Sequence, residues 1–89
     1  MNRVQVLVKA ILPDSQAEQL GIQAGDIFTH YNHKPILGMA AFIYGRSLEP
    51  ATNTAQELKV LRNGKELVFK VKPGKMGVEL QEQVLAKKP

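Results

Sequence analysis

The sequence predicts an α+β fold, mainly β, with five to six strands, one short helix and one longer helix. Three observations carry that reading. Val4, Val6 and Val8 alternate with Arg3, Gln5 and Leu7, the period-two pattern of a strand with one buried face. Asn63-Gly64 lies between two further alternating runs, and this pair suits a type I′ hairpin because both central residues take positive φ. Ser15 stands three residues before Glu18, with Gly21 soon after, the start and stop of a helix too short to hold itself together by propensity.

Bulk properties bound the rest. Eighty-nine residues make a single domain, 1–89, in which every element must contribute to a modest core. Hydrophobic residues make up 44% and charged residues 22%, the balance of an ordinary globular protein. Three Phe, two Tyr and no Trp argue against a stacking platform for single-stranded nucleic acid. The net charge of +4 comes mainly from lysines and arginines in the last third, spread from Lys59 to Lys88 without the dense cluster on a helix that nucleic-acid binding favours. There is no cysteine, so neither disulfides nor thiolate chemistry is expected. No apolar run approaches the roughly 20 residues of a membrane span, and Met1-Asn2-Arg3 does not open a signal peptide.

In chain order, the first strand is expected from about Arg3 to Leu12, ended by Pro13 and Asp14. The short helix follows from the Ser15 cap to Gly21, with Ala17, Leu20 and Ile22 turned to the sheet. Gly25-Asp26 turns the chain into a second strand, Ile27 to Tyr31, rich in β-branched and aromatic residues. Asn32-His33 forms the next turn. From Ile36 the period changes to that of a helix of about ten residues, within 38–48, weakened by Gly45 and ended by Pro50. After a loop at 50–54, the Asn63-Gly64 turn sets the hairpin register: Arg62 opposite Lys65, Val60 opposite Leu67, Leu58 opposite Phe69 and Glu57 opposite Lys70. Apolar then meets apolar and acid meets base. A last strand runs from Val78 to Val84, with residues 85–89 as a frayed tail.

The stretch before that strand carries the functional expectation. Gly74 and Gly77 bracket a loop whose backbone can approach a ligand closely. The amides of Met76, Gly77 and Val78 can converge there as an anion nest, with Lys70, Lys72 and Lys75 adding positive potential. A carboxylate is the expected ligand; the alternative is an ordinary strand-entry loop. An enzyme or metal reading would rest on Asp26, His30 and His33, or on Ser15 as a nucleophile. Turn and cap chemistry accounts for these residues more simply, and neither a catalytic residue, a metal nor a cofactor is expected.

The run from Ile11 through Pro13, Ser15, Ala17, Gly21, Gly25 and Asp26 to Phe28, continued by Tyr31-Asn32-His33-Lys34-Pro35-Ile36, resembles a bacterial PDZ domain. Leu58 to Lys65, with Arg62-Asn63-Gly64-Lys65, is similar to that family's strand and turn, so the resemblance covers most of the chain. It implies a PDZ-like, partly open barrel or sandwich. Lys75-Met76-Gly77-Val78 resembles the family's Gly-Leu-Gly-Phe loop with Lys75 in place of the first glycine. In animal PDZ domains, and usually in those of HtrA-type proteases, the loop comes first; here it comes last, which implies a circular permutation. His33 stands where the family usually has Gly, and no polar anchor occurs around Met39 to Phe42.

The resemblance implies a non-catalytic module that captures the C-terminal or extended peptide of another protein by β-strand addition. Lys75, Met76, Gly77 and Val78 would hold the peptide carboxylate, and Leu80, Met39, Phe42 and Ile43 would line the groove. The alternative is a regulatory or structural module of a larger bacterial protein such as a protease, with no free-peptide ligand. A fragment of a secreted or membrane protein would work in the cell envelope or periplasm, a complete chain in the cytoplasm. Neither nucleic acid nor membrane insertion is expected.

Overall fold

The computed structural model describes residues 3–47, 55–72 and 75–85. Its elements are β1 (Arg3–Ile11), α1 (Gln16–Leu20), β2 (Ile27–Tyr31), β3 (Lys34–Pro35), α2 (Met39–Ser47), β4 (Gln56–Arg62), β5 (Lys65–Val71) and β6 (Val78–Leu85). The strands form one open antiparallel sheet in the order β5-β4-β2-β1-β6, with β3 hairpinned onto β2. The expected loop at 50–54, the Pro50 helix stop and Gly74 lie outside the described residues. The expected tail needs correction at one end: Leu85 pairs with Arg3 as the last residue of β6, because the alternation that begins at Val78 keeps finding ladder partners. Residues 86–89 lie outside the described range.

Local chemistry accounts for each connection. Ser15 Oγ accepts the Glu18 N–H at 3.1 Å, while the Glu18 carboxylate reaches back to the Asp14 amide at 3.1 Å. One orphan donor at the start of α1 is thus satisfied, and the returning carboxylate bonds the amide before the N-cap, one residue earlier than the standard capping box places it. Gly21 ends α1 at φ +89, where a side chain would be strained. Asn32 and His33 both take positive φ in the β2–β3 turn, as do Asn63 and Gly64 in the β4–β5 turn. The register that follows puts Arg62 opposite Lys65, Val60 opposite Leu67, Leu58 opposite Phe69 and Glu57 opposite Lys70, as the alternation predicts. The Glu57–Lys70 pair, at 3.6 Å, is exposed on the lysine side and contributes to register more than to stability.

The core lies on the face of the sheet covered by the two helices. Val6 and Val8 of β1, Phe28 of β2, Leu58 and Val60 of β4 and Val71 of β5 are fully buried with Ala17, Ile22, Phe42 and Met76. Phe42 of α2 presents its ring edge-on to Phe28 at 5.5 Å and to Tyr31 at 5.4 Å. Such contacts add about 0.5–1.5 kcal/mol each beyond the area buried.

One charged pair is built into this apolar frame. Asp26, with 1% of its surface exposed, accepts from Arg62 Nε at 2.7 Å, from Arg62 Nη2 at 2.7 Å and from the Gln23 N–H at 2.9 Å. Arg62 Nη2 also donates to the carbonyl oxygen of Gly21 at 2.9 Å. The end of β4 is thereby pinned to the α1 C-terminus and to the turn that opens β2. Burial desolvates the Asp26 carboxylate and pushes its pKa up, but the Arg62 hydrogen bonds, the Gln23 amide and the Arg62 charge together outweigh this, holding it below the ordinary aspartate value.

A carboxyl whose pKa is lowered by folding stabilises the fold above its ordinary pKa and loses that contribution as pH falls through that value toward the folded-state pKa. The urea midpoint of the native chain should therefore drop across that acidic window. Asp26→Asn should cost about 2 kcal/mol at neutral pH and show a smaller acid dependence. Parallel pH profiles for the two proteins would refute the assignment.

Candidate functional site

β6 is the last strand of the chain and the outer strand of the sheet, lying beside β1, the first. Its pairing settles which main-chain groups face outward. Leu12 N donates to Gly77 O at 2.9 Å, so Val78, the next residue, turns its N–H and C=O away from β1. Leu80 lies opposite Val8, whose own N–H and C=O bond Asp26 O and Gly25 N on the β2 side, each at 2.8 Å. Leu80 therefore also presents its main chain to the outer edge. A bulge at Lys9, between the Val8 and Ala10 pairings, keeps both residues in that phase. Among the described residues no strand pairs with that edge.

The entry to β6 is held from beneath. Ala17 N of α1 donates to Met76 O at 2.9 Å, as Leu12 N does to Gly77 O. Both carbonyls of the loop are thus turned into the domain, while the Met76 and Gly77 amides enter no hydrogen bond among the described residues. Met76 anchors the loop by burying its side chain in the core. Gly77 takes φ +86, and a Cβ there would stand 2.1 Å from Ser15 Cβ and 2.8 Å from Ser15 Oγ. Only glycine meets both conditions.

Side chains also hold the base of the loop. Lys72 N donates to Gln16 Oε1 at 2.6 Å, and Lys72 O accepts from Gln16 Nε2 at 3.3 Å and from Arg46 Nη2 at 3.2 Å. Arg46 Nη1 donates to the Tyr31 hydroxyl at 3.0 Å, and its guanidinium lies 5.6 Å from the Tyr31 ring centre. One peptide group next to the loop is thus tied to both helices.

The residues expected to form the site are distributed as follows. Lys75 is exposed at the mouth, Met76 is buried, and Gly77, Val78 and Leu80 are half-buried. Met39 is half-buried and Ile43 is 54% exposed on α2, whereas Phe42 is 7% exposed with its ring committed to Phe28 and Tyr31. Phe42 therefore belongs to the core beneath any groove. Of the lysines expected to add potential, Lys70 is paired with Glu57. The sequence reading missed Gln16, Arg46 and Glu82, whose carboxylate accepts the Met39 N–H at 2.8 Å and joins β6 to the start of α2.

The other chemistry-bearing residues are engaged elsewhere. Asp26 is bound by Arg62, and the register shift between Phe28 and His30 breaks the alternation by which Asp26 and His30 would share a face. His30 Nδ1 lies 3.1 Å from Thr29 Oγ1, and His33 sits in its turn 3.6 Å from Glu57. Among the described residues no group of three or more His, Cys, Asp or Glu could hold a metal ion, and no helix is long and apolar enough to cross a membrane.

No family model matches the chain. The periplasmic pH-dependent serine endoprotease DegQ of Escherichia coli (strain K12) is 38% identical over 64 residues, 72% of this chain and 14% of that protease. That similarity supports a PDZ-like domain. The six-stranded antiparallel open sheet with little helix is consistent with it. The matched stretch thus spans about one seventh of the protease.

Because Gly77 is constrained by both φ and space, Gly77→Ala should destabilise the domain and shift the amide resonances of Met76 to Leu80. Adding Ser15→Gly should relieve the collision but leave the positive-φ strain, recovering part of the urea midpoint. Full stability in Gly77→Ala would contradict the loop geometry.

Proposed function

We propose that the chain is a peptide-binding module that captures the C-terminus of another protein as an added strand along β6, in a groove bounded by α2. The observation that carries this reading is the outward-facing main chain of Val78 and Leu80, continuous with a loop whose carbonyls are drawn inward. A peptide antiparallel to β6 would meet those groups with its own main chain. Its terminal carboxylate would take the amides of Met76, Gly77 and Val78, with Lys75 nearby, and its last side chain would lie against Val78, Leu80 and Ile43. An apolar final residue follows from that lining. So small a footprint implies roughly micromolar affinity.

The placement of β6 at the end of the chain, beside the first strand, supports a circularly permuted PDZ arrangement in which loop and receiving strand come last. The module is non-catalytic in this reading, since Asp26 is held by Arg62 and His33 occupies a turn. A second reading rests on the similarity to a periplasmic protease: the module regulates a larger envelope protein, and its groove is filled by a segment of that protein. The similarity to that protease favours the cell envelope or periplasm.

Peptides with free and amidated C-termini separate the possibilities. The free acid should bind about tenfold or more tightly, the difference made by charge-assisted hydrogen bonds, and binding should slow hydrogen exchange at Val78 and Leu80. Equal affinities for acid and amide would remove the carboxylate role.

A further inference from the structure

We infer that β5 pairs with β5 of a second copy of this chain, antiparallel and centred on Val68, to form a two-fold dimer. The pairing uses the border of the sheet opposite β6 and is independent of the peptide-binding reading. Which main-chain groups of β5 face outward follows from its neighbour β4. The Asn32 N–H donates to Glu57 O at 2.7 Å, and the Thr29 hydroxyl donates to Lys59 O at 3.2 Å, so Glu57 and Lys59 turn their main chains toward β2. Lys70 and Val68 lie opposite them and therefore turn theirs to the outer edge, and Glu66 shares that phase. Among the described residues no strand pairs with that edge.

The sequence of β5, Lys65-Glu66-Leu67-Val68-Phe69-Lys70-Val71, is complementary to its own reverse about Val68. Val68 meets the partner's Val68, Glu66 meets the partner's Lys70, Lys70 meets the partner's Glu66, and Leu67 meets the partner's Phe69. In this register the residues with outward main chains face one another, as hydrogen-bonded pairs require. The side chains of Glu66 and Lys70 are 60% and 66% exposed, and each already pairs within its own chain, with Lys59 and Glu57. The dimer joins these pairs into a row that alternates in sign: Glu57, Lys70, the partner's Glu66 and the partner's Lys59. A slip of two residues in either direction sets half-exposed Val68 against Glu66 or Lys70 and loses the valine contact, so the charges that discourage indiscriminate edge pairing here fix one register. Because both copies use the same edge, the pairing closes as a dimer and leaves the two β6 borders at the far ends of a continuous sheet. One strand from each copy makes a small interface, so association is expected at roughly 0.1–1 mM.

Sedimentation equilibrium of the native chain from about 10 μM to about 1 mM should show the mass rising toward twice that of the monomer and no further. Over the same range the amide resonances of Glu66, Val68 and Lys70 should shift. Val68→Pro removes an outward donor that β4 does not use and should stay monomeric throughout. Glu66→Lys and Lys70→Glu should each weaken self-association by about tenfold, whereas an equimolar mixture of the two variants opposes acid to base again and should associate within about threefold of the native chain. A native chain that stays monomeric across the range overturns the inference, as does a mass that grows beyond the dimer or a set of shifts confined to residues outside β5. Undiminished dimerisation of a folded Val68→Pro overturns it as well. The native series decides the matter where a variant does not fold.

Discussion

The constraint on which the site depends is the direction in which two carbonyl groups point. Ala17 N–H and Leu12 N–H draw the oxygens of Met76 and Gly77 into the domain, and a chain with its carbonyls committed on one side is free to offer donors on the other. The short helix α1 matters for this reason more than for the surface it covers. Its capped start places the Ala17 amide beneath the loop, and the Ser15 side chain fills the space a residue other than glycine at position 77 would need. A buried peptide oxygen without a partner costs roughly 1–3 kcal/mol, enough to hold the loop in one orientation.

The supports of the loop are also the supports of the fold. Lys72, at the end of β5, is tied by Gln16 to α1 and by Arg46 to α2, and Arg46 is braced by Tyr31 of β2. On the opposite side of α1, Arg62 holds Gly21 and Asp26 together. The helix α1 is thus gripped at both ends by polar contacts and in the middle by the buried Ala17, although five residues could not remain helical alone. A ligand displacing α2 would pull, through Arg46, on the peptide group just before the loop. The helix α2 and the base of the loop therefore belong to one connected unit.

What was legible in the sequence was local or periodic. Asn63-Gly64 dictated a turn, and the alternation on either side admitted one register that matched apolar with apolar residues. Ser15 with Glu18 marked a helix start, and Val78 with Leu80 marked a strand directly after a glycine loop. What escaped was nonlocal: Asp26 and Arg62 are 36 residues apart, Glu82 and Met39 are 43, and Gln16 and Lys72 are 56, so no spacing announces them. Phe42, which the resemblance places in the groove, packs edge-on against Phe28 and Tyr31; α2, Met39–Ser47, carries apolar residues on several sides, so the sequence alone does not decide which of them turn inward. The bulges at Lys9 and Thr29 were equally invisible, since an extra residue in a strand leaves no mark on composition.

The sheet has a second outer strand, and the two borders are unlike. Beside β6 stands a helix; beside β5 no element is described, and its row of Lys65, Glu66 and Lys70 carries charge, two of these paired across to Lys59 and Glu57. Val68, half exposed in the middle of that row, is the one aliphatic invitation to a neighbouring sheet, and it is hemmed in by charged flanks of the kind that discourage edge-to-edge association. The two borders of the sheet thus differ: β6 keeps an outward-facing main chain beside a helix, whereas β5 carries charged residues of the kind that discourage edge-to-edge association wherever acid is not set against base.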